Sequence, residues 1–363
     1  MLAQPHDMFA LDIGDQSLRL VQLKRNGKKN ILTSYNELAV PAGIIKNGEI
    51  INAPQLTKLI RTVITSAKGK KITSKNIISV LPETKTFVKV ITAVTQERRA
   101  LKHEELRELV QNEIVKHIPI DVNDIYLDWQ IVAHTRTSTQ LLVGAVPKTT
   151  SDSYLTVIEQ AGFTPLILEV EAAAIIRSIF GDTKKGETSA VDTAKIIIDF
   201  GAVRTGLMLF DHNTIQFTVS LPISGEKITN TIATTLNIDP QKAEESKIVC
   251  GLDPNKCEGA LLKILMQSMA ELAQEIKKAM SYYQSTFPHA RAVTEVVLIG
   301  GGANFLQIDT VLSEKLGVPI RIGDPGQFIT MKEKTVIPKN KLLSFATAIG
   351  LGLRALQKNS DYD

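Results

Sequence analysis

Cysteine is scarce: the 363 residues hold two, Cys250 and Cys257. The pair matches neither a redox Cys-x-x-Cys nor a zinc-binding spacing, and a secreted disulfide framework uses more cysteines. Free thiols in a reducing cytoplasm are the expectation. Aromatic residues make up only 5%, with one tryptophan, Trp129. His103, His117, His134 and His212 show no metal-ligand spacing, so these side chains read as structural. No run approaches the ~18 apolar residues needed to cross a bilayer. The start, Met1–Asp7, lacks the basic flank and apolar stretch of a signal peptide. The polar end, Gln357–Asp363, does not read as an amphipathic anchor. The formal net charge is only +4, which does not point to nucleic acid. There is no Gly-x4-Gly-Lys-Ser/Thr loop and no Gly-x-Gly-x-x-Gly, so the P-loop and dinucleotide-binding readings lose.

What is present is ample material for a core: 44% of residues are apolar and 22% charged. The length implies two or more domains. Phe9–Ile13 and Leu18–Leu23 read as two strands joined at a turn containing Gly14. Residues 53–67 place Leu56, Leu59, Ile60, Val63 and Ile64 on one helical face. The basic loop Lys68-Gly69-Lys70-Lys71 reads as a solvated turn; together with a pI near 8.8 it also suits contact with an anionic membrane or an acidic partner. Residues 86–146 form a unit in the order strand, helix, strand, strand, ending at Pro147. Ser151 is placed to cap the next helix, and Glu171–Phe180 reads as another. The polar stretch 182–193 suits a linker between lobes. Residues 195–200 and 205–210 repeat the opening hairpin. Helices follow at 225–236, 239–249 and 258–285, the last with Leu261, Leu265, Met269, Leu272, Ile276 and Met280 as a core stripe.

The repeat carries chemistry. Asp12-Ile13-Gly14 and Asp199-Phe200-Gly201 each put an aspartate at the end of an apolar strand, followed by a glycine turn. Facing one another, two such turns bring backbone N–H groups around a polyphosphate, which glycine lets approach closely. Their aspartates then face a shared divalent cation, Mg²⁺ held through water. A third element, the strand 296–299, runs into Gly300-Gly301-Gly302 and a helix start near Asn304. Three glycines in a row cost chain entropy, and a flat ligand against the backbone is one reason to keep them.

These motifs resemble the phosphate-1, phosphate-2 and adenosine motifs of the actin, heat-shock chaperone and hexokinase superfamily. Residues 169–174 and 346–352 resemble its two connecting helices, in the expected order. The unit at 86–146 resembles the 1C subdomain of the FtsA and PilM branch. Val115-Lys116-His117-Ile118-Pro119-Ile120, Leu127-Asp128-Trp129-Gln130 and Val143-Gly144-Ala145-Val146-Pro147-Lys148 are similar to the PilM family of type IV pilus assembly proteins.

The resemblance implies an α/β, actin-like (ribonuclease H-like) two-lobed ATPase fold with an inserted FtsA-type 1C subdomain. Subdomain 1A would comprise 1–85, 147–190 and 340–363, and 1C would be 86–146. Subdomain 2A would comprise 195–224 and 291–339, and 2B would be 225–290. It implies ATP or ADP with Mg²⁺, the metal held by Asp12 and Asp199. Gly14, Asp15, Gln16 and Ser17, with Gly201, Ala202, Arg204 and Thr205, would cradle phosphates. Gly300, Gly301, Gly302 and Asn304 would line the nucleoside, and Glu244 and Lys247 would flank adenine and ribose. Glu169 would orient the attacking water. Asp15 departs from the usual small hydroxyl residues and sets a negative charge beside the phosphates; Arg204 departs in the other direction. Both favour nucleotide binding over fast hydrolysis, and hydrolysis stays open. The implied partner is the short cytoplasmic N-terminal tail of a PilN-like inner-membrane protein, in a groove between 1A and 1C. The protein would then sit in the cytoplasm, peripheral to the inner membrane through that partner. The competing readings are an FtsA-like cytoskeletal or division protein and a small-molecule kinase of the same superfamily. The kinase reading lacks a second recognisable substrate motif with its catalytic base.

Overall fold

Strand Met8–Ile13 is apolar at five of six positions and buried along its whole length. Such a strand belongs in the middle of a sheet covered on both faces. It pairs antiparallel with Ser17–Asn26 and parallel with Asn76–Leu81. The computed structural model describes residues 7–94, 102–134, 138–181, 193–259 and 261–357. The stretch 182–193 expected as a linker lies, but for Thr193, outside the described residues.

The first sheet has six strands, in the order Thr164–Val170, Asn76–Leu81, Met8–Ile13, Ser17–Asn26, Lys29–Ala39, Lys68–Gly69. Helices Ala53–Thr65 and Lys148–Gln160 close one face through Leu56, Ile60, Tyr154 and Ile158. The helix expected to start at a Ser151 cap begins at Lys148, directly after Pro147, and Ser151 is buried inside it. Proline fixes the extended entry to the helix, so no side-chain cap is needed there.

The second sheet has eight strands. Ile320–Ile322, Val293–Ile299, Ala194–Phe200, Thr205–Asp211 and Thr214–Leu221 lead into Phe87–Val94, Ser138–Pro147 and Ile125–His134. The long helix Leu262–Thr286 buries Leu265, Met269, Leu272 and Ile276 against one face of this sheet, as the stripe requires. The 3₁₀ turn Gly301–Asn304 stands where a helix start was expected, and the helix proper is Ile308–Leu316.

Helices Glu171–Phe180 and Ala346–Arg354 lie between the two sheets. They cross so closely that a Cβ on Gly350 would fall 1.8 Å from the Ala174 carbonyl oxygen. Glycine is compulsory at that crossing.

The unit at 86–146 has its own small core of Ile91, Leu106, Val110, Ile114, Leu141 and Val143. Its order, strand Phe87–Val94, helix His103–Ile114, then strands Ile125–His134 and Ser138–Pro147, is the one read from sequence. It joins the second sheet through one bridge, Phe217 to Lys89. Its last strand runs straight into Lys148–Gln160 on the first lobe.

The expectation of free thiols is corrected: Cys250 and Cys257 form a disulfide. Helix Pro240–Cys250 ends at Gly251, whose positive φ turns the chain back. That reversal brings the two Cα atoms within 5.8 Å, inside disulfide range.

Candidate functional site

Each Asp-x-Gly turn is closed by the same hydrogen bond. Gly14 N–H donates to Ser17 O and Gly201 N–H to Arg204 O, both at 3.0 Å. A Cβ on Gly201 would sit 2.6 Å from the Arg204 carbonyl oxygen, so the second turn tolerates only glycine there. The hairpin registers are equivalent too: Asp12 lies opposite Arg19, and Asp199 opposite Gly206. Both turns open onto one cleft of about 280 Å³.

Besides Asp15, four carboxylates line this cleft: Asp12, Asp199, Glu171 and Glu83. Burial is the largest influence on each. It pushes Asp12 up to about 6, against the opposing pull of the Arg19 guanidinium. Asp199 is also raised to about 6, by burial and then by the Asp12 charge. Glu83 is raised to about 7 by burial, with Asp199 adding to the rise while the nearby Ser220 and Arg204 oppose it. Glu171 is raised well above the usual carboxylate range by burial and by Asp12, Asp199 and Glu83. A cluster of like charges so placed favours a cation.

The cleft also offers positive groups. Arg19 lies 3.7 Å from Asp12, bonds Glu37 at 3.1 Å and covers the Phe345 ring. Arg204 lines the cleft, and its Nε is buried with no hydrogen-bond partner in the protein. A buried unpaired donor is costly and calls for an anion. A cation-bearing polyphosphate meets both demands. Among the described residues, no three His, Cys, Asp or Glu side chains form a metal-ligand cluster.

Comparison with known proteins identifies the family and the fold. The model of the family described as "Type IV pilus assembly protein PilM" matches residues 10–356. The chain belongs to the PilM family. A solved PilM-PilN type IV pilus biogenesis complex superposes with a TM-score of 0.82 at 20% identity, covering 98% of this chain and 100% of that one. MreB 5 of Spiroplasma citri bound to AMPPNP gives 0.52 at 12% identity, covering 96% and 95%. The fold is therefore actin-like. Among curated proteins, the cell division protein FtsA of Pseudomonas aeruginosa is 27% identical over 188 residues, 46% of this chain and 43% of the relative. The chain spans about half the length of the curated relatives it matches.

For this member of the PilM family, the expected site residues fall into two groups. Asp12, Gly14, Asp15, Gln16, Ser17, Asp199, Gly201, Ala202, Arg204, Gly300 and Gly301 all line the cleft. Asp15 does not confront the phosphate position with a bare charge, because its Oδ1 accepts the Gly48 N–H at 2.9 Å. Gln16 donates to Glu226 at 3.2 Å and so links the two lobes across the cleft mouth.

The others are held elsewhere. The Thr205 hydroxyl donates to Ile223 O at 2.7 Å and is fully buried. A Cβ on Gly302 would strike the Phe200 ring at 2.5 Å, so that glycine serves packing. Gly300 has φ +80°, and a Cβ there would fall 2.2 Å from Asp199 Oδ1; it lets the third motif press against the second. Only Gly301 faces open space. Asn304 Nδ2 donates to Gly301 O and Asn340 O. Lys247 is buried and donates to Gly225 O at 3.0 Å, Thr229 Oγ1 at 2.7 Å and Glu244 at 2.5 Å. An ammonium has three protons, and all are spent inside the protein. Gly225 N–H in turn donates to Gly201 O at 3.1 Å, so Lys247 braces the second glycine turn from behind. Glu244 is half exposed and shares one oxygen with Lys247 and Thr229.

Glu169 is the clearest correction. It pairs with Arg177 through both oxygens, away from the cleft. The acid facing the cleft is Glu171, in the first turn of the next helix. Glu83 and Arg19 were missed altogether. Arg19 was findable: a residue directly opposite Asp12 in an antiparallel hairpin shares its face. Glu83 had no local signal. It follows Pro82 in a short 3₁₀ turn and arrives over Gly206, where the missing side chain leaves room.

Proposed function

We propose that this protein is a nucleotide-dependent platform of type IV pilus assembly. It holds ATP or ADP with Mg²⁺ in the cleft, and it docks the short cytoplasmic N-terminal tail of a PilN-like inner-membrane protein between subdomains 1A and 1C. The observation that carries the nucleotide reading is the convergence of two identically closed glycine turns on a cleft with five carboxylates and one unpaired arginine donor. A bound metal–nucleotide would supply the positive and negative charge that these groups lack. Asp12 and Asp199 hold the hydrated metal through water, the turn amides and Arg204 take the phosphates, and Arg19 offsets Asp12. Gly301 gives the nucleoside a flat approach.

The tail-docking reading is supported by helix Lys148–Gln160, which touches both the edge strand Thr164–Val170 and the strands of the inserted unit. Tyr126 donates to Asp152 at 3.1 Å across that junction. Tyr126 and Leu166, on strands either side of the helix, are partly exposed. Lobe closure on nucleotide would change this junction, because the inserted unit touches both lobes. The site then lies in the cytoplasm, at the inner membrane through the partner; among the described residues no helix is long and apolar enough to cross a membrane.

The test is titration of a labelled N-terminal peptide of a neighbouring pilus membrane protein, with and without Mg·ATP. Binding that shifts with nucleotide, and calorimetric ATP binding lost in Asp12→Ala/Asp199→Ala, are expected. No peptide binding in either state would remove the platform reading; undiminished ATP affinity in the double variant would remove the site. The FtsA similarity favours a second reading, a filament-forming division protein, which polymers formed with ATP and lipid would establish.

A further inference from the structure

One corner of the first lobe concentrates positive charge that the cleft does not use. The hairpin joining Ser17–Asn26 to Lys29–Ala39 ends in Lys24, Arg25, Lys28 and Lys29, all exposed. Its outer edge is met by two further segments. Residues 68–70 attach at Thr33 to Tyr35, through the Lys68–Gly69 ladder and the Lys70 N–H bond to Thr33 O. Residues 330–335 attach at Asn30 to Leu32, through Thr330 and the Thr335 hydroxyl. Lys332 and Lys334 come with the second segment, and three exposed lysines lie between 68 and 71. Against nine basic residues stand Glu333 and Asp7, the latter 3.5 Å from Lys24. The corner's excess of about seven charges exceeds the +4 of the entire chain, so the remainder is net acidic and the charge is a local feature.

We infer that this corner docks on an anionic phospholipid surface. Lysines on a sheet edge also discourage edge-to-edge pairing, but residues 68–70 and 330–335 already cover this edge. Eight of the nine cations are lysines, which are compact hydrated charges without the bidentate fork that reads phosphates or bases. The aromatic ring at this corner, Tyr35, is buried with the Lys68 ammonium over it, so it offers no stacking platform for single strands. Val336, 48% exposed beside Tyr35, puts an apolar side chain among the lysines. Apolar contact plus diffuse cationic attraction is the pattern of interfacial lipid binding. The ten residues of Ser17–Asn26 set the hairpin tip about 30 Å from the cleft, and the Lys68–Gly69 strand joins about half-way along, so lipid contact leaves the cleft open. The opposite edge of the sheet, Thr164–Val170, lies five strand spacings away, about 24 Å. An extended tail of about eight residues spans that distance.

The test is cosedimentation of the full chain with vesicles of phosphatidylcholine alone and of phosphatidylcholine with one-third phosphatidylglycerol, at 50 mM and 300 mM NaCl. Each lysine near an anionic leaflet is worth roughly fivefold in partitioning, about 1 kcal/mol. The quadruple variant Lys28→Glu, Lys29→Glu, Lys70→Glu, Lys71→Glu is therefore expected to lose at least 100-fold affinity for the anionic vesicles. Wild type is expected to lose most of its binding at high salt and to ignore phosphatidylcholine, a readout that needs no variant. Equal binding by wild type and a variant with an unchanged circular dichroism spectrum would overturn the inference. So would salt-independent binding, or tighter binding to a 30-base-pair duplex than to the anionic vesicles in the same buffer.

Discussion

Asp199→Asn should make the nucleotide-free protein more stable at neutral pH while abolishing the proposed Mg·ATP binding. Asp199 is raised from 3.8 to about 6, first by burial and then by the neighbouring Asp12 charge. Below pH 3.8 the group is protonated in both folded and unfolded chains and contributes nothing. Between pH 3.8 and 6 the unfolded chain ionises while the folded one keeps its proton, so stability falls as pH rises. Above pH 6 the folded protein carries the full cost of an ionised, crowded carboxylate. Two units at 1.36 kcal/mol each give about 3 kcal/mol. Water in the open cleft screens part of this, so a net gain of about 1–2 kcal/mol is expected for the amide. The assay is urea unfolding by far-UV circular dichroism at pH 4 and pH 7.5, without metal or nucleotide. The gain should be near zero at pH 4 and complete at pH 7.5. Mg·ATP should then stabilise wild type and leave the variant unmoved. Equal stability of variant and wild type at pH 7.5, or a gain that does not change with pH, would refute the electrostatic reasoning.

Two further changes probe the frame around the cleft. Gly350→Ala should destabilise by about 3 kcal/mol or prevent folding, since its methyl group would overlap the Ala174 carbonyl and force the two central helices apart; a small shift in the urea midpoint would contradict that packing. Glu171→Gln should lower any Mg·ATP cleavage at least tenfold in single-turnover assays with little loss of stability. Glu169→Gln should do the reverse: it removes the carboxylate charge paired with the Arg177 guanidinium, at a cost of about 1–3 kcal/mol, and leaves cleavage intact.

What the sequence made legible follows the range of the forces involved. The Asp-x-Gly turns are local: a strand, an aspartate and a glycine are adjacent in the chain, and the duplication marks them twice. The order of the inserted unit was legible because each piece announces its own period. The errors lie where tertiary contact decides. Glu169 and Glu171 are two residues apart, and only the point where strand Thr164–Val170 gives way to helix sends one to Arg177 and the other to the cleft. Lys247 carried a family-like pattern, yet burial turned its ammonium onto Gly225. Glu83 reaches Asp199 from 116 positions away in the chain, a proximity that no window of sequence contains. The cysteines misled because their number and spacing bear only on compartment, whereas the pairing depends on the reversal at Gly251.

The inserted unit is a yoke with unequal arms. One arm is covalent and stiff: strand Ser138–Pro147 becomes helix Lys148–Gln160 with no loop between them. The other arm is non-covalent: one ladder bridge between Lys89 and Phe217, with Val88 packed in the same core as Phe210 and Ile215. A displacement of the unit is therefore carried to both lobes, covalently to the first and through a non-covalent seam to the second.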